Sequence, residues 1–376
     1  MLIGIDGNEA NIEKRVGVNQ YGYELLWAIY RLQDEWKKGL KFVIYLKNHP
    51  RSDLPPEGIF WKYKTVPGEG LWIITKLMPL LFKDIDRPDL FFSPSHYVPP
   101  FAPQPRVCSI MDLGYLEFSG QFKKYDFWQL TLWSAWSILV SKGIIAISEN
   151  TKDDIVRHYP FASKKIYVTP LAYDKSLFNL NVPHDDVRRV RQTYGTSDNY
   201  ILFISTLKPN KNVEGLIEAY AAIADQIDEN LVIAGKKGWL YGSIFTKVKQ
   251  LNMENRVIFT DFVTEEDKPG LIAGAKLFAL PSYWEGFGLD VLSAMACGVP
   301  VLVSDQGSLP EVVGGAGIIV DPYHVQEISR GLLKVLKMNQ KEYNELAEKG
   351  LTRVKDFSWE KTAQKTLEVL TKLTEK

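Results

Sequence analysis

The chain has 376 residues, a length that favours two domains over a single hydrophobic core. Its 45 basic residues balance 45 acidic ones, so no overall positive charge attracts a nucleic-acid backbone and we expect no nucleic-acid partner. Both cysteines, Cys108 and Cys297, lie in apolar runs, as is typical of proteins from a reducing compartment. The five histidines lack metal-ligand spacing, and neither a metal nor a cofactor is expected.

Short apolar runs alternate with amphipathic segments along the chain, a pattern that predicts parallel α/β sheets. The first series has predicted strands at 2–6, 41–46, 90–92, 107–110 and 144–147 and a predicted helix at 21–33. The second series has predicted strands at 200–204, 231–234, 257–259, 277–280, 301–303 and 317–320 and a predicted helix at 213–224. A last helix is predicted at 359–373, with an apolar stripe that requires a partner.

The two series predict two Rossmann-like, doubly wound domains that face a central cleft. We place the N-terminal domain at 1–175 and the C-terminal domain at 176–356, with the terminal helix, 357–376, packing back on the first. The polar stretch 179–199 is interpreted as the linker region. Open sheets of this kind bind ligands at the carboxyl ends of their strands, which suits a reaction between two substrates. The fold class alone is compatible with many chemistries.

The most informative segment, 280–302, predicts a strand, a glycine-rich loop, a helix and a second strand. Gly286 and Gly288 allow a ligand to approach the main chain closely. The N terminus of the following helix presents unpaired N–H groups that favour an anion such as a diphosphate. Glu285 can accept hydrogen bonds from sugar hydroxyls. The alternative is that these glycines form only a tight turn and that Glu285 is a solvated loop residue.

This segment resembles the signature E-G-F-G-L-P-x-L-E-A-M-A-C-G-x-P-V of the retaining glycosyltransferases of family 4, the group 1 transferases with the GT-B fold. Other segments are similar to motifs of that family in the same order, namely 147–152, 169–174, 205–212 and 231–235. The resemblance implies transfer of a hexose from a nucleoside-diphosphate sugar to a hydroxyl of a glycan or lipid-linked acceptor, with retention of configuration. The G-T-L-x-P-x-K-N pattern favours mannose from GDP-mannose.

Carried onto this sequence, the resemblance implies that Lys211 contacts the donor diphosphate and Glu285 the transferred sugar. A fixed cation stabilises the charge that a departing diphosphate develops. Gly17 matches an N-terminal glycine loop near the donor phosphates, although a plain strand-to-helix turn remains an alternative, as does an exposed helix-start lysine for Lys211. The expected catalytic residues are Lys211, Glu285 and Asp112, and the expected donor-binding residues are Gly17, Thr206, Lys211, Gly235, Glu285, Gly286, Phe287, Gly288, Leu289 and Ser293.

The sequence departs from the family pattern at three positions. Ser293 replaces the second glutamate of the E-x7-E motif, which binds ribose hydroxyls in the family. Asn210 replaces an arginine expected near the phosphates, and Met111 replaces a histidine near the reacting sugar. Asp112 is kept after Met111, but it could equally cap the next helical turn. These departures leave a non-catalytic nucleotide-sugar binder as one alternative and a nucleotide-sugar epimerase as another.

An aromatic segment at 118–140 stands apart from these motifs. It contains Phe122, Tyr125, Phe127, Trp128, Trp133 and Trp136, with Lys123 and Lys124 near its start. An amphipathic helix with this composition suits a membrane interface, and a second apolar patch lies at 71–74. The alternative places both stretches in the core or in the wall of the acceptor cleft. No signal peptide or spanning helix is predicted, so we expect a cytoplasmic protein, with peripheral contact at the inner face of the membrane left open.

Overall fold

The structure, a computed structural model, describes residues 1–33, 39–118, 120, 124–238 and 241–374, and the chain divides into two units. Unit 1 consists of Met1–Leu171 together with Ser358–Lys376, and unit 2 consists of Ala172–Phe357. Each unit has its own parallel sheet with flanking helices, so the predicted α/β fold class is confirmed.

The sheet of unit 1 has seven parallel strands. They are β1 (Leu2–Asp6), β2 (Lys41–Leu46), β3 (Trp61–Thr65), β4 (Leu90–Ser93), β5 (Arg106–Ile110), β6 (Gly143–Ala146) and β7 (Ile166–Val168). Their order is β3-β2-β1-β4-β5-β6-β7. The apolar runs predicted the five central strands but not β3 and β7. These two lie at the edges and have partly exposed side chains. Lysines interrupt the apolar residues of β3, and β7 is only 3 residues long.

Among the described residues of Met1–Leu171, five α-helices flank this sheet. A π-helical turn (Ile73–Leu77) leads into the second of them, and a 3₁₀ turn (Pro160–Lys165) follows the last. They are α1 (Val18–Arg31), α2 (Met78–Lys83), α3 (Gly114–Glu117), α4 (Lys124–Val140) and α5 (Glu149–His158). Side chains of β5, β6, α4 and α5 form one buried apolar cluster, and the segment around α2 packs on β2 and β4 in another.

The sheet of unit 2 has six parallel strands. They are β8 (Tyr200–Ile204), β9 (Asn230–Ala234), β10 (Val257–Asp261), β11 (Leu277–Leu280), β12 (Val301–Ser304) and β13 (Ile318–Val320), in the order β10-β9-β8-β11-β12-β13. Its helices are α6 (His184–Tyr194), α7 (Val213–Ala221), α8 (Gly242–Gln250), α9 (Lys268–Ala273), α10 (Leu289–Ala296), α11 (Leu309–Val313), α12 (Val325–Leu336) and α13 (Gln340–Arg353).

The prediction of a linker at 179–199 is wrong, because α6 occupies most of that stretch. Val190 is fully buried on the inner side of this helix. The helix lies so close to α9 that a Cβ on Gly270 would stand 2.9 Å from the Val190 side chain. Val187, Val190 and Tyr194 form a short apolar stripe at helical spacing on this otherwise charged helix, and the polar composition of the stretch concealed it.

The last helix, α14 (Trp359–Thr374), belongs to unit 1. Its apolar stripe is buried there, and the ring of Trp359 lies 6.3 Å from that of Tyr21 in α1. The hydroxyl of Thr362 donates to the carbonyl of Pro170 at 2.6 Å. The stripe therefore has its partner in α1 and the neighbouring strands.

The strands of each sheet all run in one direction, so their carboxyl ends meet at one edge. In unit 2 this edge carries the segments that follow β8, β9, β11 and β12, and in unit 1 those that follow β1, β4 and β5. Ligands of open parallel sheets bind at such edges. The candidate functional residues lie at this carboxyl edge of the sheet in both units.

Candidate active site

An ion pair marks the carboxyl edge of the unit 2 sheet. The Nζ atom of Lys211, after β8, lies 2.6 Å from Oε1 of Glu285, after β11. Each of the two side chains is only 13% exposed. The fold thus joins two residues that are 74 positions apart in the sequence. A paired, largely buried lysine and carboxylate are held in fixed positions more firmly than an exposed pair.

Hydrogen bonds of the Asn212 side chain stabilise the turn that contains Lys211. Pro209 opens a single 3₁₀ turn, and Asn212 ends it in the left-handed region at φ 53°, which asparagine tolerates better than most residues. Its buried side-chain amide donates to the carbonyls of Pro281 and Pro322, at 3.1 and 2.8 Å. These bonds tie the turn to the loop that contains Glu285 and so set the position of Lys211.

Glu285 is held by its side chain and by its backbone. The Ser282 hydroxyl donates to the same Oε1 atom at 3.2 Å. Both the backbone N–H and the hydroxyl of Ser308 donate to the Glu285 carbonyl at 3.1 Å. Gly307 makes this approach possible, because a Cβ at that position would stand 2.5 Å from the Glu285 carbonyl oxygen.

Asn210, where an arginine was expected, joins the same two loops. Its carbonyl accepts the N–H of Tyr283 at 2.9 Å, and its side-chain amide lies 3.4 Å from the carbonyl of Trp284. The residue contributes no charge to the site. The sequence showed the loss of a cation but not this contact, which forms only when the two loops meet.

The glycine-rich loop ends at the N terminus of α10. Gly288 is the N-cap residue of this helix, with φ 91°, and it has no side chain that could cap the first-turn N–H groups. A Cβ on Gly288 would also come within 2.7 Å of Leu309. Phe287 is buried against Phe357, with ring centroids 5.9 Å apart, which anchors the loop. This arrangement is a potential anion site beside the Lys211–Glu285 pair.

Thr206 and Gly235 lie where β8 and β9 end. Gly235 has φ 146°, and a Cβ there would stand 1.8 Å from the carbonyl oxygen of Ser205. Thr206 is half-buried, and its methyl group lies 3.1 Å from the position of a Cβ on Gly238. Only glycine fits at position 235, because the two loops touch through their backbones. Gly286 is half-buried in the loop between Glu285 and Phe287.

Ser293 does not reach the ion pair. It is 4% exposed in α10, and its hydroxyl lies 3.3 Å from the carbonyl of Leu289, one turn earlier. The hydroxyl thus has a partner within its own helix. A serine at this position cannot replace the reach of the glutamate that the family pattern has there.

Residues 186–353 match the family model described as Glycosyl transferases group 1. Most of unit 2 is therefore similar to the group 1 glycosyl transferases. Over 233 residues, or 60% of this chain and 60% of the relative, the sequence is 34% identical to the O-antigen chain mannosyltransferase B of Escherichia coli. The alignment thus spans less than two thirds of that relative's length.

Solved structures match nearly the whole chain. Sucrose-phosphate synthase from Thermosynechococcus elongatus aligns with a TM-score of 0.74 and 19% identity, over 99% of this chain and 98% of that one. Anabaena HepE in complex with UDP-glucose aligns with a TM-score of 0.72 and 20% identity, over 99% of both chains. At these identities the likeness shows the fold, and the prediction of a GT-B fold is confirmed.

Outside the segment that matches the family model, unit 1 carries Gly17 and Asp112. Gly17 precedes α1 and has φ 55°, and among the described residues no atom beyond its chain neighbours lies within 4 Å of an added Cβ. The backbone conformation, rather than a steric contact, therefore favours glycine at this position. Oδ1 of Asp112 accepts the N–H of Gly114 at 2.8 Å, which is the local turn contact considered as the alternative to a catalytic role. Met111 precedes it, and its carbonyl accepts the Thr151 hydroxyl at 3.2 Å.

A second polar cluster at the carboxyl edge of unit 1 was not singled out from the sequence. The Asn19 side-chain amide donates to the carboxylate of Glu9, and Oδ1 of Asp6 accepts the N–H of Asn8 at 3.1 Å. Burial raises the pKa of Asp6 and of Glu9, and the charge of Lys47 opposes the shift at both. The position of polar residues directly after β1 could have revealed this cluster, since strand carboxyl ends bind ligands.

His96, after β4, is a largely buried neighbour of Tyr97, whose ring lies 5.6 Å from that of Trp133 in α4. Burial lowers the pKa of His96 to about 4, and within the described part of the chain its Nε2 has no hydrogen-bond partner. Its protonation therefore opposes folding. The neutral ring's contribution to stability is present above the ordinary pKa of 6.5 and is lost as the pH falls towards 4.

We expect the pH dependence of stability to differ between the wild type and His96→Gln. Between about pH 7.5 and 4.5 the wild type should lose about 2.5 kcal/mol more in its free energy of unfolding than the variant. Urea denaturation at a series of pH values measures this difference. Parallel pH profiles for the two proteins would mean that the folded protein accommodates the charged imidazole.

Proposed function

We propose that this protein is a glycosyltransferase that moves a hexose from a nucleoside-diphosphate sugar to an acceptor hydroxyl, with unit 2 binding the donor. The Lys211–Glu285 pair beside the glycine-capped N terminus of α10 carries the proposal. A lysine and helix N–H groups suit a diphosphate, and a fixed carboxylate suits sugar hydroxyls. The match of residues 186–353 to the group 1 transferases supports the same assignment.

In this proposal the reacting bond joins the anomeric carbon of the hexose to the terminal phosphate oxygen. As that bond breaks, negative charge develops on the diphosphate, and Lys211 and the amides of Phe287, Gly288 and Leu289 stabilise it. The acceptor hydroxyl bonds to the anomeric carbon, and its proton passes to the departing phosphate. Departure and attack on the same face give retention. Glu285, freed in part from Lys211 by the donor, binds the sugar hydroxyls.

Mannose, carried by GDP, is the proposed hexose. The name of the Escherichia coli relative, a mannosyltransferase, supports this choice. The name of this relative does not state which nucleotide carries the mannose. A panel of nucleotide sugars therefore decides the donor, and GDP-mannose is the expected substrate.

The acceptor is proposed to bind at the carboxyl edge of unit 1, with Glu9 holding its hydroxyl groups. Glu9→Gln is then expected to reduce transfer to the acceptor by about tenfold or more and to leave acceptor-independent release of the nucleotide unchanged. Glu13→Gln, an exposed residue of the same loop, is the matched control. Equal losses of release and transfer in Glu9→Gln would place this residue outside the acceptor site.

Product analysis tests the proposed function and its two alternatives. The protein is incubated with each nucleotide sugar and a mixture of glycan and polyprenyl-phosphate-linked acceptors, and products are followed by NMR. Formation of free nucleoside diphosphate and a glycoside of retained configuration is the expected result. A donor altered only at one sugar carbon would indicate an epimerase, and saturable binding without any product would indicate a binding protein.

A further inference from the structure

Helix α4 has an apolar surface that unit 1 leaves in contact with solvent. From Phe127 to Val140 the helix contains no charged residue. Its inner side packs Phe127, Leu130 and Ile138 into the cluster around β5 and β6. The outer side exposes Tyr125, Trp128, Leu132, Trp136 and Leu139, whose exposed fractions range from 39% to 77%. Spacings of three and four residues place these five on one face of the helix.

The prediction of an amphipathic helix in this segment is therefore wrong, because α4 is apolar on both sides. Phe122 and Lys123 lie outside the described residues. In the second aromatic patch, Trp72 is only 1% exposed and its indole N–H donates to the carbonyl of Val66 at 2.6 Å, so it belongs to the core. Leu71 beside it is exposed.

The exposed surface continues from α4 onto the loop between β4 and β5. Phe101 is 61% exposed, and its ring lies 6.1 Å from that of Trp136. The Trp136 indole N–H points at the carbonyl of Pro100, 3.4 Å away. We call this surface the aromatic face, comprising Phe101, Tyr125, Trp128, Leu132, Trp136 and Leu139. Exposed apolar patches of this kind mark contact surfaces, because water contact with them is unfavourable.

Cations flank the aromatic face at both ends of the helix. Lys124 begins α4 and is exposed, and Lys164 is exposed beyond its C terminus. The neighbouring Lys165 donates to the carbonyls of Ile138 and Ser141, at 2.7 and 2.8 Å, which places its ammonium group at the C-terminal end of the helix. Apart from Asp126 near its start, the helix has no acidic residue. This distribution of charge complements an anionic surface.

We propose that the aromatic face docks on the headgroup region of an anionic lipid bilayer, with α4 lying in the plane of the membrane. Tryptophan and tyrosine combine a large apolar ring with a polar N–H or O–H group, and this combination favours the headgroup region over water or the bilayer centre. The lysines at the two ends contact lipid phosphates while Leu132 and Leu139 enter the acyl boundary. None of the helices in the described part of the chain has the length and apolar character of a membrane-spanning segment.

Vesicle co-sedimentation of the full chain tests the docking. The wild type is expected to pellet with phosphatidylcholine vesicles that contain phosphatidylglycerol, and less with phosphatidylcholine alone or at high salt. Trp128→Gln combined with Leu132→Gln is expected to weaken partitioning by about tenfold or more, since both side chains lose their apolar contact. Ile59→Gln is the matched control, because Ile59 is 81% exposed but precedes β3 at the far edge of the sheet.

The double variant replaces only exposed side chains, so its thermal unfolding should match that of the wild type. This comparison distinguishes a loss of membrane binding from a loss of folding. Equal pelleting of the wild type and the double variant would overturn the proposal. So would a dimer, detected by light scattering, that the double variant abolishes while no protein pellets with vesicles. Membrane binding requires no donor, so a negative result in these experiments would leave the proposed transferase activity unaffected.

Discussion

Lys211→Ala is expected to lower the rate of nucleotide release from the donor by at least about tenfold, which corresponds to about 1.4 kcal/mol of transition-state stabilisation. The largely buried ammonium group lies 2.6 Å from Glu285, beside the N terminus of α10. Its loss leaves the departing diphosphate with the helix amides alone. Steady-state kinetics with the donor identified in the panel measure the effect, which should appear in kcat as well as in kcat/KM because the charge develops in the transition state.

Glu285→Gln is expected to cause a loss of similar size. The double variant should lose less than the two single losses combined, because each partner positions the other. Lys276→Ala provides the matched control, since Lys276 and Glu229 form an ion pair of the same 2.6 Å length before β11 and β9, at the opposite edge of the same sheet. An unchanged rate in Lys211→Ala, or an equal fall in Lys276→Ala, would remove the ion pair from the proposed site.

Gly235→Ala is the second substitution for which we expect a large effect. It should lower the stability of unit 2 as well as the activity. The residue has φ 146°, and an added Cβ would stand 1.8 Å from the carbonyl oxygen of Ser205. Backbone atoms cannot move aside as a flexible side chain does, so the loops after β8 and β9 must separate. We expect unit 2 to lose more than about 3 kcal/mol in its free energy of unfolding, or to fail to fold.

Gly242→Ala is the control for this prediction. Gly242 begins α8 and has an ordinary backbone conformation, and no atom of the described residues beyond its chain neighbours and its own helix lies within 4 Å of an added Cβ. Alanine there should leave stability unchanged or slightly raised, because it favours helix. Urea denaturation compares the two variants with the wild type. A Gly235→Ala protein as stable as Gly242→Ala would show that the two loops are not in contact as described.

The sequence predicted those parts of the fold that repeat along the chain or follow a local rule. Buried strands such as β8 and β11 appear as continuous apolar runs, since both of their faces are covered by helices. The loop between β11 and α10 was predicted by its glycines, because a strand, a tight turn and a helix N terminus require them at fixed positions. The edge strand β3 shows no such run and was missed.

Contacts between distant segments could not be predicted from a single sequence. The sequence does not show that Asn212 supports the Lys211 turn through carbonyls 69 and 110 residues away. Nor does it show that Ser308 donates to the backbone carbonyl of Glu285, since this contact forms only when the loops after β11 and β12 meet. The family resemblance supplied the identity of the two paired residues. Only the structure shows that they form an ion pair and that Ser293 faces its own helix.

A crystal structure of the protein with GDP or GDP-mannose bound would show directly whether unit 2 holds the donor at the Lys211–Glu285 pair. We expect the pyrophosphate to lie between Nζ of Lys211 and the main-chain amides of Phe287, Gly288 and Leu289, with the hexose hydroxyls towards Glu285. A nucleotide bound elsewhere on the protein, with the Lys211–Glu285 pair closed and the α10 amides in contact only with water, would contradict this expectation.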